Sequence, residues 1–249
     1  MPLTPTNIEY GMHNWAIVRG CLHKPQGKCP VTNCWAEFVS KRQGWDFHKP
    51  ELLVKNLLDP LKRKKPTRIL VNFSGDLFGD WVDPKQIPND RSGYANSSLA
   101  FIVLDIIKRS PQHTFLFLTK NPSGIWDIEW PDNAWMGATA WDFDSFVEQT
   151  GYFLNIPLTV NTVKAKHKWL SFEPLLGGLA GYKFIFDRLR YSGISWLVIG
   201  AEDHPLKLPR REWVTEIESA CIEAGIPYWE KNNLATLFPD RPLHQELPR

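Results

Sequence analysis

Cys21, Cys29 and Cys34 lie on one short stretch, GCLHKPQGKCPVTNCWAE, separated by seven and then four residues, with His23 between the first two. The chain has one other cysteine, Cys221. Such a cluster admits three readings. Three thiolates on a [4Fe–4S] cluster leave one iron without a protein ligand, and that iron can chelate a small molecule. Three thiolates completed by His23 form the four-ligand sulfur and nitrogen set that zinc prefers. Unliganded loop thiols are the third reading, and spacing alone gives the first two equal weight.

Length and composition limit what can position this loop. With 249 residues, 43% of them hydrophobic and 13% aromatic, the chain can bury one large core, so a single domain over 1–249 is expected. A formal net charge of +2 does not by itself announce a nucleic-acid binder or a disordered tail. The start, MPLTPTNIEYGMHNW, lacks a basic segment followed by an apolar one, and no apolar run reaches the ~18 residues of a membrane span. A cytoplasmic protein with no membrane partner is therefore expected. In that reducing compartment clustered cysteines are more often metal-binding or catalytic than disulfide-bonded.

Short apolar, β-rich runs mark strands at 14–21, 68–75, 114–120, 134–140, 168–175, 195–202 and 226–231. Apolar residues at three- and four-residue spacing predict helices in PELLVKNLLDPLKR, SSLAFIVLDIIKRS and RREWVTEIESACIEAG, the last closed by a glycine. Strand and helix in alternation predict an α/β fold with a parallel sheet. A single-domain, complete or partial (β/α) TIM-like barrel of six to seven parallel strands is favoured over an open sheet. The reason is that polar punctuation (SGD, LTK, GATA, FEP, GAED) recurs at strand C-terminal ends, the rim where such barrels carry their chemistry. The cysteine loop follows the first strand and would lie on that rim.

Here the sequence resembles a known family. Trp15, Gly20, Cys21, Cys29, Cys34, Trp35 and Ala36 follow the pattern of the phage-type three-Cys family named after phage gene products thirty-seven and sixty-eight, which is radical-SAM-like. SGDLFGDWVD, FLFLTKNP, NAWMGATA, WLSFEPLLGGL, ISWLVIGAEDHP, CIEAGIPYWEKNN and PDRPLHQELP are similar, in the same order, to further segments of that family. The last two cysteines stand four residues apart where the family usually has two, and Gly200, Ala201, Glu202, Asp203 and His204 replace a Gly-Gly-Glu-Ser-Gly segment. Both gaps also differ from the three-then-two loop common in radical S-adenosylmethionine (SAM) enzymes. The resemblance implies a [4Fe–4S] cluster on Cys21, Cys29 and Cys34, with SAM on the open iron and His23 outside the ligand set. It also implies an electron donor such as a flavodoxin or a ferredoxin.

The same resemblance assigns the rim. SAM needs an acceptor for its ammonium, close backbone approach and polar groups for its ribose. Asp76, with Ser74 and Gly75, is assigned to the methionine amine, with a turn or helix cap as the competing use. Thr139 is assigned to the ribose or carboxylate, or is a strand-forming threonine. Glu173, at the end of an apolar strand, is costly to desolvate unless paired, and Lys120 or a substrate is its expected partner. Glu202 is placed near the adenosine or substrate, Lys231 at the same cavity, and His204 as a proton relay or an exposed loop residue. Glu173, Lys120 and Lys231 form the expected catalytic set. Asn72 points into the barrel or packs, and Cys221 reads as core.

Twelve tryptophans include Trp35, Trp81 and Trp141 near strand ends, where they can stack on a base or pack. The single dense basic run, LKRKKPTR at 61–68, is a solvated helix end or a phosphate-binding surface. Two functions follow. One is a radical-SAM-like enzyme that abstracts hydrogen, with a nucleotide or nucleic-acid substrate preferred. The other is a non-enzymatic zinc or iron–sulfur protein that contacts nucleic acid.

Overall fold

In a computed structural model, residues 3–88, 94–154, 163–203 and 205–248 are described. The protein is mixed α/β, built on a mostly parallel sheet of eight strands. The chain divides into two compact units, Met1–Cys29 with Trp35–Met136 and Lys164–Lys166, and Pro30–Cys34 with Gly137–Val163 and His167–Arg249.

The first unit contains β1 (Thr4–Pro5), β2 (His13–Trp15), β3 (Arg68–Val71) and β4 (Thr114–Thr119). It also holds the first half of β5 (Ala134–Thr139) and helices α1 (Trp35–Gln43), α2 (Asp59–Lys62) and α3 (Leu99–Lys108). β2, β3 and β4 are parallel, and β1 caps β2 antiparallel. Ile69, Leu70, Val71, Phe115, Leu116 and Phe117 are buried on both faces, as a sheet covered by helices requires. α3 starts where the Ser98 side chain accepts a bond from the Phe101 amide, and it buries Leu99, Ile102, Val103, Ile106 and Ile107 at helical spacing.

Two expectations fail here for local reasons. The predicted first strand, 14–21, breaks after Trp15, because the Ile17 and Val18 amides donate to the Asn72 side-chain oxygen at 3.0 and 2.6 Å instead of to a neighbouring strand. Val18–Arg19 then pairs with Glu51–Leu52, inside the segment predicted as a long helix. That segment yields only a short 3-10 turn and α2. Pro60 cannot donate to the ladder, and the Asn56 carbonyl is taken by the Trp15 indole at 2.9 Å.

The second unit contains the end of β5, β6 (His167–Phe172), β7 (Ile194–Ile199), β8 (Tyr228–Glu230) and helices α4 (Phe143–Gly151), α5 (Tyr182–Ser192) and α6 (Arg211–Ala224). β6, β7 and β8 are parallel. A reciprocal Asp142–Ser145 cap opens α4. Gly225, at φ +67°, closes α6 in the left-handed conformation that its terminal glycine predicts. The closing segment lies along β8, where the Glu230 amide donates to the His244 carbonyl at 2.7 Å and the Glu246 amide to the Tyr228 carbonyl at 3.0 Å. Cys221 is fully buried, as core. Among the described residues no helix is long and apolar enough to cross a membrane.

Candidate functional site

The residues singled out by sequence divide between the units, and each unit carries its own polar cluster beyond the C-terminal ends of its strands. In the first, β3 ends at Val71 and Asn72 turns the chain at φ +62°. The chain then reaches Gly75, which bridges Gly20 in the cysteine loop. Both positions need glycine. A Cβ on Gly75 would lie 2.7 Å from the Gly20 carbonyl oxygen, and Gly20 itself has φ +88° with the Phe47 carbonyl 2.8 Å from where its Cβ would be. Cys21 follows, its amide donating to that Phe47 carbonyl at 2.9 Å.

Asp76 is the centre of this cluster. One carboxylate oxygen faces His23 Nε2 at 2.7 Å and accepts from Thr119 Oγ1 at 2.7 Å and the Lys120 amide at 3.1 Å; the other accepts from the Phe78 amide at 2.9 Å. Asp76 is therefore both the turn former weighed in the sequence and a buried acceptor for three separate segments. A ligand amine would have to share oxygens already occupied. His23 is 2% exposed, lies edge-on to Trp81 at 4.9 Å, and leaves Nδ1 buried without a partner among the described residues. The resemblance leaves His23 outside the site, whereas the fold puts it at the centre; its position two residues after Cys21 was the available signal. Asp80, bound by Lys28 and Asn121 at 2.8 Å each, extends the network. Burial pushes the Cys21 thiol up to about 12; Asp76 and Cys29 add to the rise, while a backbone bond from His23 and the Lys120 charge oppose it. Ser74 and Cys29 are half-buried.

In the second unit Glu173, just after β6, is ion-paired with Lys231, just after β8. Lys231, rather than the expected Lys120, partners this acid. The pair is seated by the Lys231 amide donating to the Ile199 carbonyl at 2.9 Å, and by Gly200, whose missing side chain leaves room for the Lys231 stem. Asp203 lies 4.0 Å from the same ammonium, and Asn233 donates to Asp203 at 2.8 Å and to the Ala201 carbonyl at 3.0 Å. Glu202, 6% exposed, accepts from the Thr32 amide at 2.8 Å. It thereby anchors the segment that carries Cys34, which is half-buried. Thr139, at the end of β5, is 1% exposed and its hydroxyl has no partner among the described residues; the Ser171 hydroxyl is likewise buried and unpaired among them. His204 lies outside the described residues.

Three half-buried free thiols match the donor chemistry of an iron–sulfur cluster, in contrast to the sealed Cys221. Among the described residues no set of three or more His, Cys, Asp or Glu side chains is drawn into ligand geometry. Of the three tryptophans, Trp35 is exposed, while Trp81 packs on His23. One cluster had no counterpart in the sequence reading. Glu230, fully buried, receives both arms of Arg241 at 2.7 and 2.8 Å, and Arg241 also binds Glu218.

A search of the curated proteins and one of the solved structures each return no match. One family matches residues 5–235, nearly the whole chain, under the description "protein of unknown function (DUF5131)". The chain belongs to that family.

Proposed function

We propose that the protein is a radical-SAM-like iron–sulfur enzyme in which Cys21, Cys29 and Cys34 hold a [4Fe–4S] cluster. The observation that carries this reading is the contrast among the thiols. The three on the 21–34 loop are half-buried and free, and the fourth is sealed in the core. When bound, the cluster and SAM together supply one-electron cleavage to methionine and a 5′-deoxyadenosyl radical. The remaining roles belong to the chain. Asp76 and Gly75 fix the loop that bears Cys21, and Glu202 fixes the segment that bears Cys34. Thr139 offers an unpaired buried hydroxyl to a ligand's ribose or carboxylate. Glu173 and Lys231 bind or move a proton on the substrate, a nucleotide or nucleic acid in this reading. A partial barrel of parallel strands, a cytoplasmic location and a flavodoxin or ferredoxin donor belong to the same proposal. Anaerobic reconstitution tests it: a brown protein that forms 5′-deoxyadenosine after reduction supports the reading.

One observation favours a second reading. His23 presents Nε2 to Asp76 and leaves Nδ1 buried and unpaired, the pairing that orients a metal-binding histidine. With the cysteines it would make a zinc site in a non-enzymatic protein. A colourless protein with stoichiometric zinc, lost in His23→Ala, would establish this reading and remove the first.

A further inference from the structure

The basic run at 62–65 lies before β3, at the opposite end of that strand from Asp76, and the candidate site uses none of it. Its backbone is held in place. The Arg63 amide donates to the Pro60 carbonyl at 3.2 Å, and the Arg63 carbonyl accepts from Gln112 at 3.0 Å and pairs with the His113 ring at 3.0 Å. Lys62 is neutralised by the buried Asp59 at 2.6 Å, so the net charge of the run comes from Arg63, Lys64 and Lys65. Arg63 Nε is buried with no acceptor among the described residues, and buried donors are seldom left so. Leu3, the Asp59–Lys62 pair, Arg63, Lys64 and Lys65 line a half-open pocket of about 300 Å³.

We propose that Arg63, Lys64 and Lys65 form a binding site for a phosphate oxyanion, supplied by a nucleic-acid backbone or by free phosphate. The guanidinium offers a planar fork of donors suited to phosphate, the two ammonium groups add charge, and the pinned backbone lowers the ordering cost of binding. The positive field reaches neighbouring groups: burial foremost, then the Arg63 charge, holds His13 below the usual histidine range. The site needs neither a cluster nor SAM, so it stands or falls apart from the proposed activity.

The test is fluorescence anisotropy with a labelled DNA duplex of about 20 base pairs over a salt series, together with thermal shift in inorganic phosphate. Arg63→Gln/Lys64→Gln/Lys65→Gln is compared with a charge-matched control, Lys108→Gln/Lys183→Gln/Arg190→Gln. The site predicts that wild type binds the duplex and that the first variant loses at least about tenfold in affinity, with a log K against log salt slope shallower by ~1 to ~3. The control should stay within about twofold. Lys64→Gln/Lys65→Gln leaves the Arg63 anchor intact and should show part of the loss, which keeps the test readable if the triple variant is unstable. Stabilisation by phosphate that only the first variant loses, without duplex binding, supports the site with free phosphate as its source. Binding of neither, or equal loss in the control, overturns the proposal.

Discussion

Asp76 and Glu173 both follow an apolar strand, yet the fold treats them differently. The Asp76 side chain is 5% exposed and meets four hydrogen-bonding partners from the cysteine loop, its own turn and the end of β4. The Glu173 side chain is 26% exposed and, among the described residues, has a single cation, Lys231, as its partner. A carboxylate sealed among its donors fixes backbone, because removing it strands several groups at once. A carboxylate that is part open and singly paired can exchange that partner for a ligand. In the proposed function Asp76 is therefore the positioning acid, and Glu173 the one left to meet a substrate.

The largest effect should come from Asp76. Asp76→Ala leaves four partners unmatched, three of them buried, and should lower the unfolding free energy by about 3–5 kcal/mol, measured by urea denaturation. Asp76→Asn should lose less, because one oxygen survives. A loss below about 1 kcal/mol for Asp76→Ala would remove the distinction drawn here.

A third acid, Glu218, sharpens the comparison by lying half-buried against the fully buried Glu230. Burial first, then Glu230 beside it, pushes the Glu218 carboxyl up to about 8. A carboxyl raised in the native state binds its proton more tightly there than in the unfolded chain, for which about 4.3 is ordinary. Its contribution to stability is thus complete below that value, declines as pH rises, and is gone above about 8. The slope has a ceiling of ~1.4 kcal/mol per pH unit. Glu218→Gln should flatten the decline between pH 5 and 8 in a series of denaturation curves, and an unchanged slope would contradict the assignment.

The smallest effect on stability should come from Glu173→Gln, below about 1 kcal/mol, because Glu173 is partly open to solvent, the amide oxygen still accepts from the buried Lys231, and Asp203 remains 4.0 Å from that ammonium. The same variant should lower 5′-deoxyadenosine formation or substrate turnover at least about tenfold. A large stability loss with intact turnover would turn this pair into a structural one.

Much of this was legible in the sequence. The strands at 68–71, 114–119, 134–139, 167–172, 194–199 and 228–230 begin within two residues of their expected runs, although those at 68–71, 167–172 and 194–199 end three or four residues early, and Ser98 and Gly225 bound their helices. Pattern misled at 50–63, where Pro60 lacks a donor and the Trp15 indole takes the Asn56 carbonyl, and at 16–21, where the Asn72 side chain takes the Ile17 and Val18 amides. The acids and lysines at strand ends were found, but their pairings were not: Glu173 meets Lys231, and Asp76 meets His23, 53 positions away. Arg241, Glu230 and Glu218 carried no local signal, since burial alone makes their contact significant. Side-chain partners that are distant in sequence are set by topology, which local pattern does not encode.

The cysteines give the most direct test of the proposed cluster. Wild type and the Cys21→Ala, Cys29→Ala and Cys34→Ala variants, with Cys221→Ala as control, should be reconstituted anaerobically with iron and sulfide. They are then read by visible absorbance, iron content and 5′-deoxyadenosine formation after reduction. The predicted result is a cluster in wild type and Cys221→Ala, none in the other three, and 5′-deoxyadenosine only where the cluster is present. A full cluster in any of those three, or a colourless wild type carrying stoichiometric zinc, would contradict it.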